Sequence, residues 1–448
     1  MKINYGKFVS RIAPGVTGQY GELIRKWVPL SLTVGILTGL LTIVLDEGIN
    51  VVLLGNGSGG AGFTGYTIRL YDASPLAAFL LPFTGLVITG LLLREFTSEP
   101  YLGGTEEVVN RYHHGQDGLG LKDGAVKFLA AFFTIGFGGS TGLEGPSTNA
   151  GAVVGSWVWR RLSSKLGLTK DDLRILLLVG ASAGVAAVFK TPLTGIFFAL
   201  EVPYKDHFAG KAFLPSMIAG VSSYVTFASV EGTSPLFSFA QVGSAFTLND
   251  LILASLFGVV IGVIAVFFSS FHHAASGFMK SVRIPFTARF ALGGAGLGLI
   301  ALVCRASFGM PYTLGPGYQV IQGALSGAFA VQSLLAILVL RMLATTLTLG
   351  TGGMGGMFFP LVLFGAVIGS AFGLILHENI AVSVSVGMAA FMSAGYKTPI
   401  SAVTFVAEST GSITYLIPAM VASIVAYITS GRSSVSSEQM DRTFDASL

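Results

Sequence analysis

Residues 138–156 read GGSTGLEGPSTNAGAVVGS, and residues 352–370 read GGMGGMFFPLVLFGAVIGS. Nine positions of these two segments are identical at a constant offset of 214. A second pair follows, FKTPLTGIFFALE at 189–201 and YKTPISAVTFVAE at 396–408, which shares Lys-Thr-Pro, a Phe and a final Glu. Two ordered pairs at nearly one offset indicate an internal duplication. In an apolar chain, duplicated segments interrupted by Gly and Pro predict broken helices around a central substrate site.

Composition places the duplicated chain in a membrane. Hydrophobic residues make up 52% of its 448 residues, charged residues only 11%, and the mean hydropathy is +0.74. Soluble globular proteins carry about 25% charged residues. Apolar runs recur near 28–46, 76–93, 248–269, 287–304, 331–349, 357–376 and 412–429, with shorter or interrupted runs near 126–139, 173–189 and 212–228. Because about 20 apolar residues span a bilayer, the sequence predicts an all-α polytopic membrane protein with about ten crossings, some of which stop midway.

The basic residues predict the orientation. Lysines and arginines precede the first apolar run, and a second basic cluster lies at 160–174. Cytoplasmic segments are enriched in these residues, so we expect cytoplasmic termini and a cell-membrane location. Topology also explains the formal net charge of +4, and no nucleic-acid partner is predicted. The one cysteine, Cys304, excludes an intrachain disulfide and a multi-cysteine metal site, and the sequence indicates no metal or other cofactor.

The repeat predicts how the chain is organised. We expect a single membrane transport domain over 1–448, with a first half at 27–235, a second half at 248–430 and a short C-terminal tail at 431–448. A polar connection containing Gly and Ser separates the halves. In proteins built from such repeats, the substrate site lies near the midplane of the bilayer, where the repeats meet.

Glu144 is the most informative charged residue within an apolar segment. It lies in Gly-Leu-Glu-Gly-Pro, where Pro146 is suited to the first turn of a helix. A helix N-terminus offers unpaired N–H groups and a partial positive charge, which together form an anion site. A carboxylate there occupies that site itself or releases it on protonation; a purely structural cap is the alternative. Its repeat equivalent is the uncharged Phe358, so the halves are expected to contribute differently.

Several motifs together resemble one family. The segments LGGTEEV at 102–108, GSTGLEGP at 139–146 and GGMFFP at 355–360 are similar, in this order, to the three anion-lining motifs of the CLC family of chloride channels and chloride/proton antiporters. The segments KTPLTGIFFALE at 190–201 and SVSSEQM at 434–440 extend the similarity over nearly the whole chain. The resemblance implies the fold of the family, a bundle of two inverted repeats whose broken helices meet at a midplane anion site.

The resemblance also implies roles for individual residues. Glu144 would be the external gating glutamate that competes with chloride, and the backbone amides of Phe358 and Phe359 would hold the central anion. The other lining positions implied are Gly103, Gly104, Thr105, Gly142, Leu143, Gly145, Met357 and Ser436. Family members are homodimers with an independent pathway in each subunit, and they transport ions rather than catalyse reactions.

The chain departs from the family pattern at three positions. Gly103 stands where a Ser hydroxyl usually binds the central anion, and Ser436 stands where a pore tyrosine is expected. Val202 occupies the place of the internal proton-transfer glutamate of antiporters, directly after Glu201. Removing a Ser and a Tyr is expected to widen the inner constriction and weaken anion binding, and fast conduction needs weak binding.

These losses favour a Glu144-gated chloride channel. The alternative is a chloride/proton antiporter with an unconventional internal proton pathway, through Glu201 or a chain of water molecules. Gly103 leaves nitrate selectivity open, whereas the retained Pro146 argues against a fluoride transporter. The pattern Gly-x-Ser-x-Gly around Ser182 is a remote sign of a serine hydrolase, but it lies in an apolar helix without a strand–turn–helix context or a partnering histidine.

Other charged positions have less specific interpretations. Glu106 and Glu107 follow the first motif and are expected to cap or orient its helix. Glu201 and Glu408 are repeat equivalents, for which paired structural carboxylates or a water portal near Glu201 are the two alternatives. Histidine doublets at 113–114 and 272–273 are expected to lie in surface loops.

Overall fold

A computed structural model of the protein describes residues 21, 23–54, 74–115, 117–237, 246–411 and 415–441. Within these residues the chain forms sixteen α-helices and two isolated β-bridges, and no sheet. The basic N-terminal segment 1–20 and the end of the predicted tail, 442–448, lie outside the described residues.

The first half contains eight helices, and a π-helical turn at Leu23–Trp27 leads into them. They are α1 (Val28–Leu54), α2 (Pro75–Phe96), α3 (Gly104–His114), α4 (Leu121–Gly136), α5 (Glu144–Leu166), α6 (Lys170–Val188), α7 (Pro192–Glu201) and α8 (Phe213–Glu231).

The second half repeats this order with another eight helices. They are α9 (Leu248–Ser281), α10 (Phe286–Phe308), α11 (Tyr318–Leu325), α12 (Val331–Gly350), α13 (Phe358–Leu376), α14 (Ile380–Tyr396), α15 (Pro399–Thr410) and α16 (Leu416–Thr429). The duplicated glycine-rich segments start α5 and α13, whose first residues, Glu144 and Phe358, are 214 positions apart as in the sequence alignment.

Seven of the described helices are long and apolar enough to cross a membrane: α1, α2, α8, α9, α10, α12 and α13. The apolar helices α7, α14 and α16 are shorter, with 10 to 17 residues. This mixture of full-length and short helices agrees with the predicted polytopic fold with broken helices. The protein is therefore a multi-pass membrane protein.

The two halves meet through reciprocal backbone hydrogen bonds. The amide of Gly142 donates to the carbonyl of Gly356 at 3.0 Å, and the amide of Gly356 donates to the carbonyl of Gly142 at 2.9 Å. Gly142 and Gly356 are repeat equivalents, so each bonds to its own counterpart. This reciprocity is what a two-fold relation between the halves requires, and it brings the N-termini of α5 and α13 together.

Small residues allow the helices behind these N-termini to pack closely. A Cβ atom on Gly151 of α5 would overlap the backbone of Gly180 of α6, and one on Gly180 would overlap the backbone of Gly151. The same mutual contact joins Gly365 of α13 to Gly387 of α14 in the second half. Such close approach through glycines is typical of membrane helix pairs. It fixes both N-termini on rigid two-helix units.

A second reciprocal contact joins α7 and α15. The carboxylate of Glu201, at the end of α7, accepts hydrogen bonds from the amides of Ile400 and Ser401, at 3.0 and 2.9 Å, in the first turn of α15. The carboxylate of Glu408 accepts from the amides of Leu193 and Thr194, both at 2.8 Å, in the first turn of α7. Carboxylates at helix N-termini satisfy unpaired amides and complement the helix dipole.

Candidate functional site

The side chain of Glu144 lies between the N-termini of the two central broken helices. Its Oε1 atom accepts a long hydrogen bond of 3.3 Å from the amide of Phe359 in α13. The amides of Phe358 and of Glu144 itself also face the carboxylate. The side chain is completely buried, and Oε2 has no hydrogen-bond partner among the described residues. The carboxylate thus occupies a site that two helix N-termini make favourable for an anion.

Glycines make room for this carboxylate. A Cβ atom on Gly142 would overlap Glu144 Oε2, and a Cβ atom on Gly356 would overlap Oε1. Gly145 has no room for a side chain either, because its Cβ atom would meet the carbonyl group of Gly355. These glycines therefore let two backbone segments approach the same small volume. Leu143 precedes α5 at this point and is buried.

Aromatic packing holds the N-terminus of α13 in place. The ring of Phe358 lies 4.9 Å from that of Phe189 and 5.1 Å from that of Phe198, measured between centroids. The ring of Phe359 lies 4.5 Å from that of Tyr318. Both phenylalanine rings are fully buried in this cluster. The rings thus anchor the helix start, while the backbone amides of the same residues face Glu144.

The third segment at the site is the start of α3. Gly104 adopts a positive φ of 60°, and a Cβ atom there would lie 2.7 Å from the carbonyl oxygen of Gly355. The hydroxyl of Thr105 is buried and makes no hydrogen bond of ordinary geometry with any described residue. A buried hydroxyl without a partner costs about 1–3 kcal/mol, so its place beside an anion site is informative.

Gly103 does not leave the space that the sequence analysis expected. A Cβ atom on Gly103 would overlap the sulfur atom of Met354, so the methionine side chain fills the volume next to Gly103. Met354 belongs to the glycine-rich segment of the second half, and it is buried. The expected widening at this position is therefore wrong, because an unbranched side chain from the other repeat fills the gap.

A tyrosine that the sequence analysis did not select lies in the constriction. Tyr396, the last residue of α14, is 2% exposed, and its ring packs edge-on against Phe198 at 5.5 Å. Its phenolic oxygen faces the amide of Met357 and the hydroxyl of Thr105. A phenol from another helix thus faces the first motif, although Ser436 stands at the sequence position of the family's tyrosine.

Ser436 has a different partner from the one that its sequence position suggested. Its hydroxyl donates to Oε2 of Glu106 at 3.0 Å, and the amide of Ser437 donates to the same oxygen at 3.2 Å. Ser436 therefore ties the C-terminal segment to the first turn of α3, and in this structure its hydroxyl is committed to Glu106.

The family follows from comparison with known proteins. Residues 85–431 match the sequence profile of the family described as voltage gated chloride channel. The chain belongs to this family. It is 26% identical over 387 residues to a chloride channel protein of Ralstonia nicotianae described as ClcB-like, a match that covers 83% of this chain and 87% of that protein. CLC proteins are transporters or channels, and anion transport is the activity of this chain.

Solved structures share the fold at lower identity. A CLC-type fluoride/proton antiporter superposes with a TM-score of 0.80 at 22% identity, covering 95% of this chain and 100% of the other. A slow cyanobacterial Cl⁻/H⁺ antiporter gives a TM-score of 0.77 at 21% identity, covering 90% and 94%. A eukaryotic CLC transporter gives 0.71 at 16% identity, covering 90% and 71%. The CLC fold, with its duplicated and inverted halves, is thereby established for this chain.

The position of the family's internal glutamate is apolar and enclosed in this CLC chain. Val202 is 1% exposed at the C-terminal end of α7, and its carbonyl accepts a hydrogen bond of 2.9 Å from the side-chain Nε2 of Gln439. The neighbouring Glu201 caps α15, and Glu408 makes the mirror-related contact in the other half. The symmetry of these two contacts indicates that Glu201 stabilises helix packing, which favours the structural alternative over a water portal.

A cavity of about 420 Å³ leads to the constriction from one side. Its lining includes Gly103, Thr105, Glu106, Met357 and Tyr396, together with the charged and titratable residues His272, His273, Lys280, Arg289 and Glu438. The doublet His272–His273 lies inside α9, and His113–His114 ends α3, so the expectation of surface loops is wrong for both. Helical periodicity in the long apolar run 248–269 extends to Ser281 and includes the histidines.

The remaining sequence candidates have defined contacts. The carboxylate of Glu107 accepts from Lys127 Nζ at 2.6 Å and from Asn149 Nδ2 at 2.8 Å, a buried network that ties α3 to α4 and α5. Ser182 lies within α6 and donates to the carbonyl of Ser216 at 3.3 Å. No histidine is among the hydrogen-bond partners given for Ser182 in the described part of the chain. These contacts provide no hydrolase site.

Proposed function

We propose that the chain exchanges chloride for protons, with Glu144 as the gate and the proton carrier on one side of the pathway. The observation that carries this proposal is the position of the Glu144 carboxylate at the N-termini of α5 and α13, where its Oε1 accepts from the Phe359 amide. An anion site filled by a titratable anionic side chain links anion entry to protonation. When Glu144 takes up a proton, its charge and its attraction to the helix termini are lost, and chloride can replace it.

The other side of the proposed site is closed by hydroxyl-bearing side chains. The Tyr396 phenol faces the Met357 amide and the Thr105 hydroxyl, and Met354 fills the space beside Gly103. With Glu144 on one side and Tyr396 on the other, an anion between them would have no open path in either direction. A doubly closed site supports stepwise exchange over continuous conduction. Met354 and Tyr396 therefore argue against the widened inner constriction that favoured a channel.

A chloride channel gated by Glu144 is the second candidate. Val202 is the observation that favours it, because the usual internal carboxylate of antiporters is absent at that position. Both candidates use the same lining groups for the anion: the amides of Phe358 and Phe359, and the hydroxyls of Thr105 and Tyr396. They differ in whether protons cross with each anion.

Simultaneous recording of chloride and proton movement in liposomes tests the proposal. Purified protein is reconstituted, a chloride gradient is imposed, and both ions are followed in the wild type and in Glu144→Ala. Uphill proton movement that is lost in the variant is expected. Rapid chloride efflux without driven proton movement would contradict exchange and support the channel.

Orientation, assembly and ion selectivity belong to the same proposal. Lys26, just before α1, forms a salt bridge of 2.7 Å with Asp172 at the start of α6, so Lys26 and the basic cluster at 160–174 share one face, which we assign to the cytoplasm. We propose a homodimer in the cell membrane, with one transport domain per chain. Chloride is the proposed substrate, and nitrate and fluoride are the alternatives. Fluoride is the ion named for one structural relative. Competition by each anion during chloride flux separates these alternatives.

A further inference from the structure

We propose that Glu106 is the internal proton acceptor of this transporter and passes protons toward Glu144 past the hydroxyls of Thr105 and Tyr396. This inference rests on the proposed chloride/proton exchange. The family pattern puts the internal proton-transfer carboxylate at the position of Val202. Here we assign this role to a carboxylate on a different helix.

The position of Glu106 gives it access to protons from the cavity. Glu106 lies in the first turn of α3, directly after Thr105, and lines the cavity of about 420 Å³ that reaches the constriction. Its side chain is partly buried, so one part contacts protein and another faces the cavity. Val202, in contrast, is enclosed and apolar. A proton in the cavity can therefore reach Glu106, whereas the enclosed Val202 position is not among the residues that line it.

Two buried polar atoms of the candidate site have no hydrogen-bond partner among the described residues. The Thr105 hydroxyl and Glu144 Oε2 are both buried without a hydrogen-bond partner of ordinary geometry among the described residues. The Tyr396 phenol faces Thr105 and interacts electrostatically with both Glu106 and Glu144. Buried polar groups are nearly always satisfied, so these two atoms are positions at which an anion or a water molecule would be hydrogen-bonded.

Two neutral donors hold the Glu106 carboxylate in place. Oε2 accepts from the Ser436 hydroxyl and from the Ser437 amide, and these donors fix the carboxylate without adding a cation. Glu107, the next residue, instead forms a buried salt bridge with Lys127 at 2.6 Å. Of these two adjacent carboxylates, Glu106 is the one free of a salt bridge in the described structure.

The proton balance of the step is simple. A hydronium ion in the cavity gives a proton to the Glu106 carboxylate and becomes water, and Glu106 becomes a neutral acid. That acid donates to the hydroxyl relay of Thr105 and Tyr396, in which each oxygen accepts one proton and releases its own. The Glu144 carboxylate accepts the last proton and becomes neutral. The charged and titratable groups that share the cavity with Glu106 are Glu438, His272, His273, Lys280 and Arg289.

Charge-neutral substitutions with a matched control test the proposal in reconstituted full-length protein. Glu106→Gln removes the titratable group and keeps an oxygen that can accept from Ser436 and Ser437, whereas Glu106→Ala removes both. The control is Glu438→Gln, which makes the same charge change in the same cavity, at a residue whose Oε2 accepts from Asn110 at 2.7 Å. Chloride flux and proton flux are recorded together.

The expected result is retained chloride flux in Glu106→Gln and a fall of about a hundredfold in proton movement per chloride, the lower end of what a positioned acid/base group contributes. Glu438→Gln should keep the wild-type ratio. Wild-type coupling that persists in Glu106→Gln would overturn the inference while leaving the proposed exchange intact. If neither Glu106 variant moves chloride, Glu106 belongs to the anion path or the scaffold, and the inference also fails. Wild-type protein that moves no protons would instead refute the proposed function itself.

Discussion

At the scale of the residue, the candidate site is defined by the side chains that occupy the space beside its glycines. The Glu144 carboxylate occupies space that Gly142 and Gly356 keep free of other side chains, and Met354 fills the volume beside Gly103. The Tyr396 phenol faces the Thr105 hydroxyl at the same site. Single variants therefore have distinct and measurable consequences.

Neutralising Glu144 should remove the pH dependence of transport. In the wild type, acidification protonates Glu144 and weakens its hold on the helix termini, so chloride flux is expected to rise as pH falls. Gln is neutral at every pH, so Glu144→Gln should give a flux that is high and flat across the same range. Chloride efflux from liposomes at a series of pH values measures this. A Glu144→Gln profile that follows the wild-type slope would show that another group controls entry.

Removing the Tyr396 hydroxyl should weaken anion binding. A hydrogen bond to a charged partner contributes about 1.5–3 kcal/mol, so Tyr396→Phe is expected to raise the chloride Kd roughly ten- to hundredfold. Isothermal titration of chloride measures the change. The matched variant Tyr312→Phe alters a tyrosine whose ring packs on Phe329 at 5.3 Å, away from the constriction, and should leave the Kd unchanged. Equal affinities in Tyr396→Phe and wild type would place the anion elsewhere.

At the scale of the element, two reciprocal contacts hold the repeats together. The Gly142–Gly356 backbone pair joins the loops before α5 and α13. The carboxylate of Glu201 on α7 caps α15, and the carboxylate of Glu408 on α15 caps α7. Glycine pairs between α5 and α6, and between α13 and α14, make each half rigid behind its N-terminus. The N-termini that face the Glu144 carboxylate are therefore carried by paired helices.

The two capping glutamates should respond alike to substitution. Glu201→Gln and Glu408→Gln each remove a charge from a helix N-terminus and keep one acceptor oxygen. Each is expected to lower the free energy of unfolding by about 1 kcal/mol, the usual value of an N-cap, without changing the proton-to-chloride ratio. Thermal unfolding in detergent and coupled flux measure the two effects. A loss of proton coupling in Glu201→Gln alone would show that Glu201 carries protons and that the symmetry argument is wrong.

At the scale of the whole molecule, the sequence predicted the architecture better than the site. Duplication, broken helices and the meeting of Glu144 with Phe358 and Phe359 followed from residues that are close together in the sequence motifs. Tyr396 and Met354 were missed because the side chain that fills a constriction depends on how distant helices approach. One signal was present: Tyr396 opens the second KTP segment where Phe189 opens the first. The buried hydroxyl of Tyr396, which Phe189 lacks, is the difference between the repeats that bears on the candidate site.

The residues of the proposed pathway lie close together within one copy, which makes a prediction about the proposed homodimer. Glu144 is buried inside that copy, and Thr105 and Tyr396 line its cavity, whereas apolar side chains such as Val221, Val225 and Ile424 on α8 and α16 are exposed on its surface. Two copies joined in one polypeptide, one of them carrying Glu144→Gln, should therefore transport independently. Their chloride flux is expected to be the mean of the two homodimers at every pH, measured in liposomes at equal protein density. A flux that follows one parent alone would mean that the subunits share a gate, because independent pathways cannot suppress each other.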